Sequence, residues 1–408
     1  MPTPRRSLRL ALIAILVVGV LAAGGAYLLL RDGSGSVEGT TEGFVATEAP
    51  PAGGSTGAWP EYGFDRFRTR ANPLLAMEPP FRERWRFAAL SLLEFPPVIG
   101  GGRVVLGTND GRAIALDAAS GRLLWQVQLD GQMAASPALS GDAALFSTTR
   151  GRLVALAAAD GARRWSRKLG TSIESSPLVV DGGVYVGTLD GAVVRVDAST
   201  GAVVWRARAA GDVKASLAAS GGNVIVGDYA GRVSAYAMAD GHVVWRTTSP
   251  GPRFRGPGRF YAGPAVAYGR VYVGNVNARV LALQADTGRL AWVREVGDFV
   301  YSSAAVAGRT VFVGSYDHRL YALDAVTGAP RWSFDTGERI SGAPSVIGRL
   351  VYVSTLATGG RKGVTLALDA ATGQRVWSFP DGRYSPAVAV DGLLVIVGRQ
   401  VLYGLAPA

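Results

Sequence analysis

Few residue types in this chain are equipped for chemistry. Its 408 residues include no cysteine and two histidines, His242 and His318. Without thiols there is no disulfide, no thiolate metal site, no cysteine nucleophile and no cysteine to carry an N-terminal lipid. Each histidine lies in a turn-like stretch, "ADGHVV" and "SYDHR", and reads as a polar turn residue rather than a ligand or base. No His-Glu-x-x-His, Walker A or Gly-x-Ser-x-Gly pattern occurs. The aspartates recur beside glycines, where they serve turn geometry, so no carboxylate pair is singled out for acid–base work. No catalytic, cofactor-binding or metal-ligating residue is assigned, and no cofactor is expected. A different set stands out by spacing. Glu94, Ala134, Glu174, Lys214, Tyr261, Tyr301, Ser341 and Arg383 each precede a proline-like position by three residues, at steps near 40.

Charge narrows the partner classes. The formal charge is +11, from 42 basic and 31 acidic residues. Only Lys168, Lys214 and Lys362 are lysines. A basic balance favours polyanions in general. The arginines are scattered through turns without interleaved aromatics on one face, which argues against a nucleic-acid groove.

The spacing comes from the elements that hold these residues. Trp85, Trp125, Trp165, Trp205, Trp245, Trp292, Trp332 and Trp377 follow one another at steps of 40, 40, 40, 40, 47, 40 and 45. Such a period indicates a propeller or solenoid. The unit Ser175 to Ala209 breaks into four short β-branched or aromatic runs, "SPLVV", "GVYVGT", "AVVRVD" and "AVVWRA", separated by Gly-containing turns. Four antiparallel strands per repeat of about 40 residues make a propeller blade. A Gly four residues ahead of the Trp, such as Gly328 before Trp332, permits the positive φ of a tight turn. The Trp is read as a structural wedge between blades. The fold expected is all-β: a single eight-bladed propeller of four-stranded blades. Seven blades are complete. The eighth has three strands after Asp381, and "FRERWRFA", residues 81–88, supplies its missing outer strand and closes the ring.

The repeat "ALDAVTGAPRW" (322–332) and "ALDAATGQRVW" (367–377) resembles the tryptophan-docking repeat of pyrroloquinoline-quinone (PQQ) propellers, and "WPEYGFDRFRTR" (59–70) resembles that family's N-terminal stretch. The resemblance covers about residues 59 to 408. It implies the architecture, but the family holds both dehydrogenases and non-catalytic, BamB-like relatives. The dehydrogenases carry a vicinal cysteine pair and a Glu, Asn and Asp set around Ca²⁺. This chain has no cysteine, and no such set can be assigned. The non-catalytic branch is therefore expected.

Ahead of the repeats, residues 1–9 are basic and read as cytoplasmic. Leu10 to Leu30 is 21 residues without a charge, enough to span about 30 Å of hydrocarbon as a helix. Arg5, Arg6 and Arg9 precede it, so the positive-inside bias exports the chain beyond Leu30. A cleaved signal peptide with a site near Ala22 to Ala26 is the competing reading, but the apolar run exceeds the usual core of about 7–15 residues. Residues 31–58 read as a flexible linker, and 59–408 as the propeller. The localisation expected is single-pass in the cytoplasmic membrane, propeller outside.

Two surfaces are candidate binding sites. The steps of 47 and 45 arise from "SPGPRFRGPGRFYAG" (249–263) and "TLATGGRKGVT" (355–365). Blade topology puts both on one face, with Arg253, Phe254, Arg255, Arg259, Phe260, Arg361 and Lys362 as a partner-binding patch. The periodic set Glu94, Glu174, Lys214, Tyr261, Tyr301, Ser341 and Arg383 should ring the channel mouth. The function expected is non-catalytic binding or scaffolding of a protein, peptide or anionic envelope polymer, by a propeller that is monomeric. The alternatives are a PQQ-dependent oxidoreductase and a BamB-like assembly factor.

Overall fold

The computed structural model describes residues 35–46, 56–251, 256–356 and 363–408. Eight sheets follow one another, each with four antiparallel strands running from an inner to an outer position; in seven these four are consecutive in sequence, and in the seventh blade Ala71–Asn72 adds a parallel fifth strand inside. Blade 3 is typical: Leu178–Val180, Gly183–Gly187, Ala192–Asp197 and Val203–Arg208 pair in that order. Its second strand is buried throughout, because neighbouring blades cover both faces. Its outer strand buries one side chain, Trp205. The ring closes through Phe81–Ala88, which pairs antiparallel with Val401–Pro407 from Phe81 opposite Pro407 to Ala88 opposite Val401. No helix among the described residues is long and apolar enough to cross a membrane, and Leu10 to Leu30 lies outside them.

The repeated turn does more than set register. In all eight blades the ladder to the outer strand shifts by one residue just before the Trp; in blade 1 Leu116 faces Leu123 and Ala115 faces Trp125. Such a bulge re-aims the side chain that follows it. The ring then lies on the turn glycine of the next blade: a Cβ on Gly328 would meet Trp292 at 2.7 Å. Its indole N–H donates to a backbone carbonyl of the same turn, Trp85 to Ala118 at 3.0 Å and Trp292 to Ala325 at 3.1 Å. Trp377 precedes the blade whose outer strand comes from the other end of the chain. It meets Phe81 edge-on at 5.1 Å instead.

Two segments depart from expectation, the first of them within the flexible linker expected at residues 31–58. Residues 35–46 lie along blade 5. Val37 bridges Val293 with hydrogen bonds of 2.8 and 3.1 Å, the Val45 amide donates to the Tyr268 carbonyl, and Phe44 stacks on Tyr268. Arg270, fully buried, donates to the carbonyls of Thr40 at 2.6 Å and Glu42 at 3.2 Å. This strap leaves Trp292 without exposed surface.

Residues 56–72 close one end of the central channel. The carbonyls of Thr56, Trp59, Pro60, Arg66, Phe67, Thr69 and Arg70 accept from Asp391, Ile99, Leu139, Ala219, Val266, Val306 and Val346 at 2.7–2.8 Å, and the Glu61 carboxylate accepts from Val179 at 3.3 Å. One plug thus bonds to every blade in turn. Glu61 and Arg68, 3.0 Å apart, are both buried within it. The expectation that residues 59–70 simply begin the propeller gives way to a separate element inside it.

Candidate functional site: the mouth of the plugged channel

Because the plug seals one end, the channel opens on the other as a cavity of about 880 Å³, counting the space open to solvent. This is the face where each inner strand begins. Glu94, Glu174, Lys214, Tyr261, Tyr301 and Ser341 line it as the periodic spacing requires. Arg383 does not. Tyr384, at φ 64°, takes its place on the wall. The Arg383 amide is tied to the Val397 carbonyl at 2.9 Å. The turn at the last blade is therefore one residue out of step with the others.

Two tyrosines escaped the periodic reading. Tyr62 belongs to the plug and forms part of the floor, its hydroxyl 3.4 Å from Ser303 Oγ. Tyr316 comes from the turn between the second and third strands of blade 6. A signal for the latter existed: Tyr229 and Tyr316 occupy the same turn position, "GDYAG" and "GSYDH", on the face that carries the mouth.

Aromatic rings form a continuous wall across blades 4 to 6. Ring centroids are 4.5 Å apart for Tyr229 and Tyr261, 4.8 Å for Tyr261 and Tyr301, and 4.7 Å for Tyr301 and Tyr316. The planes meet at 40°, 79° and 54°, so the wall is a set of corners rather than a flat stack. Burial pushes the Tyr301 hydroxyl up, with help from Tyr261, Tyr316 and Asp298. Burial also drives Tyr384 up to about 12, reinforced by Glu94. The Tyr301 and Tyr384 hydroxyls are therefore neutral donors and acceptors at ordinary pH.

The charged groups are unevenly matched. Lys214 is paired with Glu174 at 2.5 Å. The Glu94 carboxylate has no ion pair or hydrogen bond among the described residues. Arg259 lies over the Tyr229 ring at 5.9 Å, and Arg339 over Tyr316 at 5.5 Å. Below the floor, the Arg70 guanidinium sits 4.6 Å from the Tyr62 centroid. Burial raises the Tyr62 hydroxyl, but Arg70, the Ser303 bond and Arg68 outweigh it and hold the group below its usual value.

The expected basic patch is only partly located. Arg253, Phe254, Arg255, Arg361 and Lys362 lie outside the described residues. Arg259 is exposed on the mouth face. Phe260 is not part of any surface: it is fully buried between blades 4 and 5, against Gly227. It is the member, in this blade, of a periodic apolar series with Met133, Ile173, Val213, Val300 and Ile340, each packed against a second-strand position. That period outranks its place in an insertion. His242 pairs with Asp240 at 2.7 Å in an exposed turn, and His318 occupies a positive-φ turn position, both away from the cavity wall.

A family model described as outer membrane protein assembly factor BamB matches residues 68–188, 169–302 and 298–407. No curated protein matches the chain by sequence. Among solved structures, BamB from Moraxella catarrhalis is 19% identical with a TM-score of 0.66, over 80% of this chain and 98% of that one. A europium-containing methanol dehydrogenase is 13% identical with a TM-score of 0.70, over 86% and 98%. The quinohemoprotein alcohol dehydrogenase from Comamonas testosteroni is 15% identical with a TM-score of 0.74, over 88% and 81%. At these identities the structural likeness concerns the fold.

Proposed function

Because the chain belongs to the family of the outer membrane protein assembly factor BamB, we propose that it is a non-catalytic binding or scaffold module. In this reading Leu10 to Leu30 anchors it in the cytoplasmic membrane and the propeller works outside. The observation that carries the proposal is the one-ended cavity, closed below by residues 56–72 and walled by tyrosines, Glu94, Glu174 and Lys214. A rigid, preformed concavity on the loop face of a scaffold is where ligands bind. Arg259, exposed over Tyr229, stands at its rim.

The dehydrogenase reading meets a poor donor set. Pyrroloquinoline quinone carries three carboxylates and works with a hard cation, which needs several converging oxygens. The cavity offers it Glu94, Glu174 and one lysine already paired. Among the described residues no three His, Cys, Asp or Glu groups come together to hold a metal. These residues do not fit the quinone with its cation. A BamB-type assembly role remains the second reading, favoured by the family match.

Capture from solubilised membranes tests the proposal. The parent protein should retain a partner that Tyr301→Ala loses. Equal retention by the two would exclude the cavity, and a chromophore acquired from added quinone and Ca²⁺ would exclude the non-catalytic reading. Protease on the outer side of spheroplasts should free a folded propeller; release only after lysis would overturn the orientation.

A further inference from the structure

We propose that the cavity takes a cationic side chain of a polypeptide, an arginine or lysine, seated between the faces of Tyr261 and Tyr301 and the carboxylate of Glu94. The inference rests on the cavity being the binding site and names what enters it.

Three observations converge. First, the aromatic surface already holds cations at its edges. Arg259 lies over Tyr229, Arg339 over Tyr316, and Arg70 under Tyr62. The two central rings, Tyr261 and Tyr301, carry no cation among the described residues. Second, their planes meet at 79° with centroids 4.8 Å apart. A planar ligand such as a quinone or sugar ring stacks best on parallel surfaces. Rings meeting edge to face make a corner rather than a slot, and a tyrosine face bordering such a corner attracts a compact positive charge through its quadrupole. Third, a carboxylate stands without a partner among the described residues. Blade 1, which supplies Glu94, lies across an eight-membered ring from blade 5, which supplies Tyr261. Glu174 is answered by Lys214, so among the described residues Glu94 is the wall's uncompensated charge. A half-buried carboxylate with no partner favours an incoming donor that satisfies it.

The rim arginines decide between a free cation and one carried by a chain. Arg259 and Arg339 would repel a lone cation at the entrance. A basic residue flanked by acidic ones in a polypeptide would meet both the rim and the interior with complementary charge.

Calorimetry on the full-length protein in mild detergent at neutral pH tests this with three capped peptides: Asp-Arg-Asp, Asp-Lys-Asp and Asp-citrulline-Asp. Ethylguanidinium serves as the free cation. The arginine and lysine peptides should bind, with the citrulline peptide at least about tenfold weaker and ethylguanidinium weaker than either basic peptide. Glu94→Gln, a substitution of a side chain that holds nothing in the fold, should weaken the arginine peptide about tenfold and leave the citrulline peptide unchanged. Tyr261→Leu should do the same. Equal affinity for arginine and citrulline peptides, unchanged affinity in Glu94→Gln, or no binding of either basic peptide at millimolar concentration would overturn the inference. If the citrulline peptide binds and Tyr301→Ala weakens it, the cavity stands as the site and only the cation falls.

Discussion

Glu61 is a carboxyl with almost no access to solvent, and burial pushes it up to about 7 although Arg68 lies 3.0 Å away. A folded-state value above the unfolded one gives stability that is complete below about pH 4.5 and is lost as pH rises through about 7. The parent should therefore melt at falling temperature between pH 5 and pH 8, and Glu61→Gln should flatten that dependence. Parallel melting curves would show that the group does not titrate there. Gly328 offers a second test, since its φ is 73° and an added Cβ would lie 2.7 Å from the Trp292 ring. Gly328→Ala should cost about 1–3 kcal/mol, read as a lower melting temperature. The Gly–Trp spacing was legible because it recurs. That each glycine seats the Trp of the preceding blade was not, because blade-to-blade contact leaves no mark on the spacing within a repeat. The mouth ring was legible for the same reason, except at Arg383, where a turn slips by one residue. Phe260 was misassigned because an insertion hid its period.

Among the described residues, strand Phe81–Ala88 is the only partner of Val401–Pro407 on its outer side. Deleting it should expose a sheet edge and Gly404, against which Trp85 packs, and soluble yield or melting temperature should fall severely. A deletion variant that melts with the parent would mean the ring holds without this clasp. Removing residues 35–46 should act locally. The Val293 amide, bonded to Val37, should exchange faster, while amides of the inner strands stay protected. Unchanged exchange at Val293 would mean the strap is not seated in solution. The sequence concealed this strap behind a composition of Gly, Ser, Thr and Glu. Its one clue is on the receiving side. The residue after the blade Trp is Gln, Ser or Arg in the first four full blades and Ser in the sixth and seventh, but Val293 in the fifth. An apolar residue there asks to be covered.

Eight blades were countable in the chain because each must solve the same packing problem. The plug was not, because it occurs once and is held largely through backbone carbonyls, to which almost any side chain is indifferent. That single segment sets an order of events. Residues 56–72 emerge from a ribosome or an export channel before any blade, yet their partners extend to Asp391. Residues 81–88 likewise wait for Val401–Pro407. Contacts this distant in sequence slow the search for the native state. Until the last strand arrives, the first part of the domain is a stretch of unpaired backbone in company with seven half-covered sheets. A truncated product would be an open arc with two sticky ends, prone to join other arcs, so completeness of synthesis is what separates the closed ring from the seed of an aggregate.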